Sequence, residues 1–412
     1  MKTSVSLWRR RVLAGLVAVV AGTSSPARAD GLTEFLAEGR PIFDARYRLE
    51  NVEQHGFSRH ADANTIRERL GFDTAPIWDL KALVEIQSTQ HLSNAFNDTT
   101  NGQVSYPQIP DPEAFEVNRL QLTYTGMPDV SATWGRQLVN LDDQRFIGAS
   151  AFRQNEQTFD AARIDYRGLR NVTATYAYID RVNRVFGDRS AAGHFNGNIH
   201  LFNLAYDIAE YGKLTSYAYL LDLGRSRTLS TATYGLQFGG AHPLNNGFAL
   251  HYAAGYARQT GYADNPLNLA LDYWRLEGGA DYQAWSLTGG SETLGGNGVT
   301  GFSTPLATLH AFQGDADVFL TTPAQGVADR YARLGYHTGV DVLGAMRKLT
   351  LAGWYHAYRA AQGSGDLGHE LDFDAIVNIE DHWRLDGAYA AYDGTLAFAS
   401  RTKTWLFLTF SY

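Results

Sequence analysis

The sequence predicts an all-β fold, a transmembrane antiparallel β-barrel of about 18 strands with short periplasmic turns and long extracellular loops. Three observations carry that prediction. Segments of about ten residues alternate apolar with polar or charged side chains, the connections between them are alternately short and long, and the last segment ends on an aromatic residue. Composition agrees by exclusion. The 412 residues include no cysteine, which removes disulfide scaffolds, Cys-ligated zinc, iron–sulfur clusters and thiol catalysis. They also include 41 glycines and 13% aromatic residues, a balance unlike a disordered chain.

Residues 1–29 read as a cleaved signal peptide. Trp8-Arg9-Arg10-Arg11 supplies the positive region, Val12 to Gly22 the apolar run, and Ala27-Arg28-Ala29 the small-x-small cleavage site. The apolar run falls well short of the roughly 20 residues that span a bilayer as a helix. Its removal takes away five cations, Lys2, Arg9, Arg10, Arg11 and Arg28, and no acid, moving the formal charge from -8 to -13. So acidic a chain is not a nucleic-acid binder. Residues 30–412 are read as one barrel domain, delivered to the bacterial outer membrane.

No later window reaches 18 apolar residues, and alternation recurs instead. Phe43 to Glu50 sets Phe, Ala, Tyr and Leu on one face and four charges on the other. The same period returns in Leu80–Gln87, Arg119–Tyr124, Arg163–Tyr166, Val172–Tyr178, Glu370–Ala375 and Trp383–Tyr389. Short turns fall at Asp73–Asp79, Gly126–Asp129, Arg167–Asn171, Ala209–Lys213, Pro243–Gly247, Tyr282–Trp285, Gly344–Lys348 and Glu380–Trp383. Longer polar or glycine-rich stretches lie between, near 53–62, 91–114, 141–157, 183–197, 225–229, 259–267, 294–326, 359–368 and 394–401. Eight turns and nine loops join eighteen strands, an even number with both termini on one side. The closing segment Thr404–Tyr412 puts Leu406, Leu408, Phe410 and Tyr412 on one face, the form of signal that barrel-assembly machinery reads. Trp78, Tyr124, Tyr178, Trp285, Trp383 and Tyr412, at run ends, are candidates for interfacial girdles.

Two stretches carry a family resemblance. Gly135-Arg136-Gln137 leads into Asn140–Gly148 and on through Arg153–Ala161; Phe302–Gly314 continues through Ala316–Pro323 to Asp329-Arg330-Tyr331. Together they resemble the alginate-export family of outer-membrane proteins and cover about a quarter of the mature chain. The resemblance implies an 18-stranded monomeric barrel that passes a polysaccharide or a small solute.

Parity assigns the lumen. With Tyr47, Leu49, Ile66, Leu70, Leu120, Leu122, Ile164 and Tyr166 toward lipid, the inward set of the first six strands holds Arg46, Arg48, Arg67, Arg69, Lys81, Arg119 and Arg163, beside the acids Asp44, Glu50, Glu85 and Asp165. The later inward set holds Glu370, Asp372, Asp374 and Asp386, with Arg333, His337 and Arg384 as cationic exceptions. A basic wall facing a more acidic one gives a transverse field. The arginines either form ion-pair ladders with neighbouring acids or offer a dedicated anion site. Glu68 and Arg136 fall on the apolar parity, which calls for a bulge or a place near a rim.

Leu141 to Gln157 carries Asp142, Asp143, Arg145, Arg153 and Glu156 beside Phe146 and Phe152, and is expected to fold into the barrel as a constriction, aromatics on the wall and charges toward the solute. The stretch Leu294–Gly326 is long enough to enter or cap the lumen, and one of the two loops is expected to set the narrowest point. No Gly-x-Ser-x-Gly elbow, P-loop or His-Glu-x-x-His segment is present, so no catalytic residues are assigned. No cofactor is expected; Asp315 and Asp317 are candidate calcium ligands without EF-hand spacing. The functions in play are a channel for hydrophilic solutes, saccharides or anions among them, an exporter of an anionic polysaccharide, and a barrel-borne enzyme or adhesin.

Overall fold

Alternation is realised as strand after strand. In the computed structural model, which describes residues 35–339 and 346–412, the strands are β1 (Arg40–Gln54), β2 (Ala61–Asp73), β3 (Leu80–His91), β4 (Ala114–Tyr124), β5 (Val130–Gln137), β6 (Thr158–Tyr166), β7 (Val172–Asn183), β8 (His194–Ile208) and β9 (Gly212–Leu223). They continue as β10 (Thr231–Pro243), β11 (Phe248–Gly261), β12 (Ala270–Tyr282), β13 (Trp285–Leu294), β14 (Val327–Thr338), β15 (Met346–Arg359), β16 (Asp366–Ile379), β17 (Trp383–Asp393) and β18 (Arg401–Ser411). The signal peptide read at 1–29 lies outside the described residues, as do residues 340–345; the turn placed at Gly344–Lys348 falls partly there, and Met346 already begins β15. The other short turns and the long loops fall where they were read. Asp129, Asn171 and Asn246 take left-handed backbone in three of the turns (φ 59°, 61° and 63°), as residues with short polar side chains can.

Consecutive strands pair antiparallel, and β1 pairs with β18 as well as with β2. The closing register runs from Asp44↔Ser411 to Gln54↔Arg401, so the aromatic C-terminal strand completes the sheet and leaves no edge open.

Burial is inverted relative to a water-soluble protein. Arg48, Glu50, Arg67, Glu85 and Asp372 are buried, while Leu70, Leu120, Trp134, Ile164, Leu276 and Phe373 stand 47–71% exposed on the outside. Such an exterior is stable against hydrocarbon, and the fold is that of a transmembrane barrel. Trp78, Tyr124, Trp285, Trp383 and Tyr412 all lie at the short-turn end, where they make one belt; Tyr178 lies within β7 and donates to Asn198 Oδ1 at 3.0 Å. Arginine at Leu276, mid-strand in β12, should cost about 2–4 kcal/mol in a denaturant titration in vesicles. An unshifted transition would put that face toward water.

The two charges on the outward parity have different explanations. Arg136 is the penultimate residue of β5, at a rim, and forms a bidentate pair with Asp160 (2.7 and 3.0 Å). Glu68 lies within β2 in continuous register with both neighbours, so no bulge accounts for it; Gln90 Nε2 donates to its Oε2 at 3.3 Å.

The lumen departs from a uniformly polar interior. On β7–β9 the inner face is apolar, and Ala177, Ile179, Ile199, Leu201, Tyr219 and Leu221 form one buried cluster with Val139, Ile147, Phe302 and Leu306 from two loops. The hydrophobic core therefore sits inside the barrel. A smaller core joins Val52, Ala61 and Ala63 to Phe96 and Ile109 of the 92–113 loop, so three connections fold inward where the sequence singled out two.

Candidate functional site: a loop-built constriction

The 138–157 loop leaves β5 and crosses the lumen because it carries its own apolar anchors. Phe146 packs on Tyr217, Tyr273 and Phe302 with ring centroids 5.2, 5.2 and 6.1 Å away, and Phe152 stacks on His310 at 3.4 Å. The 295–326 loop lies against it: Ile147 and Leu306 form a parallel bridge in which Gly148 N donates to Leu306 O at 2.9 Å. Both loops thus cross the lumen as one unit.

Charge fastens that unit to the wall. Arg145 Nε meets Glu292 Oε1 of β13 at 2.7 Å while Nη2 donates to Gln313 Oε1 at 3.1 Å and Nη1 to Thr304 Oγ1 at 3.4 Å. Arg153 Nη2 pairs with Asp317 Oδ2 at 2.8 Å, and Lys403 Nζ of β18 reaches the same oxygen at 2.5 Å and Glu50 Oε1 of β1 at 3.4 Å. Burial alone would raise the Asp317 carboxyl, but Lys403, His310 and Arg153 hold it well below the usual carboxylate range. The expectation that Arg145, Arg153 and Glu156 face the solute is corrected. All three are buried, because stacking the loops makes their charges partners of each other and of the wall; Glu156 pairs with Arg69 at 3.2 Å and accepts from Asn118 Nδ2 at 2.6 Å. Asp142 and Asp143 do remain exposed, the first accepting from Asn203 Nδ2 at 2.7 Å, the second paired with Arg275.

The basic wall resolves largely into ion pairs. Arg46 and Arg67 are cross-strand partners, and Arg69 stands opposite Asp44. Arg67 pairs with Asp44, Arg119 with Glu85, Arg163 with Asp165 at 2.8 Å, and Lys81 with Asp73 at 2.7 Å near the short-turn end. Arg48 pairs with Glu50 and, at 3.3 Å, with Asp111 of the inward 92–113 loop. Arg48 and Arg67, expected to line open water, are fully buried under the 138–157 loop. Arg46 differs. Half-buried, it donates from Nη1 to Ala151 O at 2.9 Å and from Nε to Thr409 Oγ1 at 3.3 Å, and no carboxylate of a described residue pairs with it.

On the other wall, Asp372 is buried with Glu370 behind the 295–326 loop rather than lining the pore. His356 lies between Asp329 (2.9 Å) and Asp372 (3.7 Å), and Glu370 Oε1 accepts from Ala316 N at 2.6 Å. Asp374 and Asp386 stay half-buried, Asp386 paired with Arg384 at 2.6 Å, and Arg333 lies over the Trp354 ring at 5.1 Å. Sequence reasoning missed Asp111, Glu292, Gln313 and Lys403. The signal for Asp111 was present in Phe96 and Ile109, apolar residues with no use in a solvated loop; the others pair across more than eighty residues and leave no local trace. Asp317, a candidate calcium ligand, spends its oxygens on Arg153, Lys403 and His310, and His310 Nε2 lies 3.7 Å from Asp315. Among the described residues no group of three or more His, Asp or Glu side chains is arranged to hold a metal ion.

A closed 18-stranded barrel whose lumen is narrowed by inward loops defines a porin-like class. Solved outer-membrane porins share the barrel fold. The structure resembles OccAB4 of Acinetobacter baumannii, with a TM-score of 0.70 at 14% identity over 91% of this chain and 98% of that one. It also resembles Pseudomonas aeruginosa OpdK, solved with vanillate (0.68, 14%, 92% and 99%), and OccK2 (OpdF) of the same organism, solved in complex with glucuronate (0.65, 12%, 92% and 99%). Neither a protein-family model nor a curated protein sequence matches the chain. The resemblance to the alginate-export family is therefore not supported, and what stands is the coarser statement, a porin-like barrel.

Proposed function

We propose that the chain is an outer-membrane channel that passes hydrophilic solutes and favours small anions, carboxylates and uronates among them. The observation that carries this reading is Arg46, a lumenal guanidinium against the inward loop with no carboxylate partner among the described residues, beside arginines already neutralised by Asp44, Glu50 and Glu156. An anion can exchange water for that uncommitted charge without displacing a protein carboxylate. The ligands named for OpdK and OccK2, vanillate and glucuronate, are of the same chemical class and support it.

Export of a polysaccharide fits less well. Two loops fastened by buried ion pairs occupy the lumen, and a polymer would have to displace Arg145 and Arg153 from Glu292 and Asp317. One chain encloses a complete pore, so a monomer suffices, with lipid outside, barrel-assembly machinery reading the Tyr412 end, and delivery by the signal peptide at 1–29. The role is transport, without catalysis or nucleic acid. Planar-bilayer recordings test it. An ohmic, anion-selective conductance reduced by millimolar glucuronate is expected; a silent or cation-selective barrel would overturn the reading.

A further inference from the structure

Arg333 is an inward arginine whose donors the protein leaves unspent. It stands on β14 directly across from Trp354 of β15, half-buried in the lumen. Its guanidinium carbon lies 5.1 Å from the centre of the Trp354 ring, and Nε is buried with no hydrogen-bond partner. Among the described residues nothing forms an ion pair or hydrogen bond with it. The carboxylate that does interact with it electrostatically, Asp374 of β16, also reaches Trp354 but forms no ion pair with Arg333.

The backbone makes room for this placement. Gly335 is on the same face, two residues toward the short-turn end, and a Cβ there would come within 3.1 Å of Arg333 Nη1 and 3.4 Å of Cζ. Glycine lets the guanidinium lie along the wall. Trp354 then lies against the guanidinium and, with Nε buried, the paired Nη1 and Nη2 groups are the edge left for a ligand in the lumen. That is the geometry a carboxylate engages bidentately.

Height places Arg333 with the constriction. Arg46 stands six residues in from the short-turn end of β1 at Arg40, and Arg333 five in from the end of β14 at Thr338. The sheet order separates them by five strand steps, through β18, β17, β16 and β15. The intervening wall carries Asp374, half-buried and without an ion pair among the described residues, and Asp386, whose charge is partly offset by Arg384. Those carboxylates repel a dianion more than a monoanion.

We infer that Arg333, oriented by Trp354 and accommodated by Gly335, is a second binding station of the pore, on the acidic wall, that selects a small monocarboxylate over dianions. The station rests on the channel reading above and adds to it a discrimination that Arg46 alone does not supply.

The test is single-channel recording on full-length protein in planar bilayers, with glucuronate as the monocarboxylate and succinate as the dianion. Glucuronate residence, read from block durations, should fall roughly tenfold in Arg333→Gln and in Gly335→Val, with Arg333→Lys intermediate because it keeps charge without the planar fork. Succinate block should change less, and the reversal potential in a KCl gradient should keep its sign. Heat-modifiable gel migration identifies variants that fold; Arg333→Lys, the mildest change, serves if either of the others does not. Unchanged glucuronate residence in Arg333→Gln, with a shortened one in Arg46→Gln, would overturn the station and leave the channel intact. A parent chain that conducts nothing would sink both.

Discussion

Arg145→Met should open the constriction. Arg145 is buried, and its guanidinium joins Glu292 of the wall to Gln313 and Thr304 of the 295–326 loop. Methionine fills part of the volume but leaves the Glu292 carboxylate with two neutral donors, Tyr273 Oη at 2.7 Å and Gln313 Nε2, and no countercharge. Removing one partner of a buried pair costs about 3–5 kcal/mol. That cost falls on the loop unit, since the ladders of β12, β13 and β14 do not involve the side chain. The expected result is a barrel that still shifts on heating in a gel, with higher single-channel conductance and frequent transitions between levels. Arg153→Met should do less, because Asp317 keeps Lys403 and His310. If conductance in Arg145→Met equals that of the parent, the two loops do not set the narrowest point.

The reach of the sequence is visible in the same residues. Phe43 to Glu50 alternates one apolar and one charged face, and a period of two leaves a single way to lay that segment between lipid and water. Turn chemistry then fixed the connections, and with them eighteen strands. The reading weakened wherever both faces were apolar. Val172–Tyr178 alternates, but its inner positions continue as Ala177 and Ile179, apolar like the opposite face, so the apolar lining of β7–β9 was not foreseen. Loop charges were harder still. Arg145 and Glu292 are 147 positions apart, and local pattern cannot distinguish an arginine that meets solute from one that fastens a loop. Of the ladder and the anion site, posed as alternatives, the ladder accounts for Arg48, Arg67, Arg69, Arg119 and Arg163, while Arg46 belongs to no ion pair among the described residues and is where the proposed anion site rests.

That division decides where charge reversal will act. Reversing Arg67 or Arg119 would set a new acid against Asp44 or Glu85, a repulsion inside the wall that threatens folding more than it informs on selectivity. Arg46→Glu strands no carboxylate, since its present acceptors are Ala151 O, Phe152 O and Thr409 Oγ1. It changes the lumenal charge by two units at the constriction. A unit charge acts on an ion about 6 Å away through water with about 0.7 kcal/mol, so the reversal disfavours an anion by about 1.4 kcal/mol and favours a cation by as much, before salt screening roughly a hundredfold swing in the anion-to-cation permeability ratio. Arg46→Gln should give about half that in free energy. The reversal potential in a KCl gradient measures both, and the shift should be larger at 0.1 M than at 1 M salt, where the screening length falls from about 10 Å to about 3 Å. A reversal potential that stays put in Arg46→Glu would place the selective charge elsewhere on the wall, and would remove the observation on which an anion channel rests.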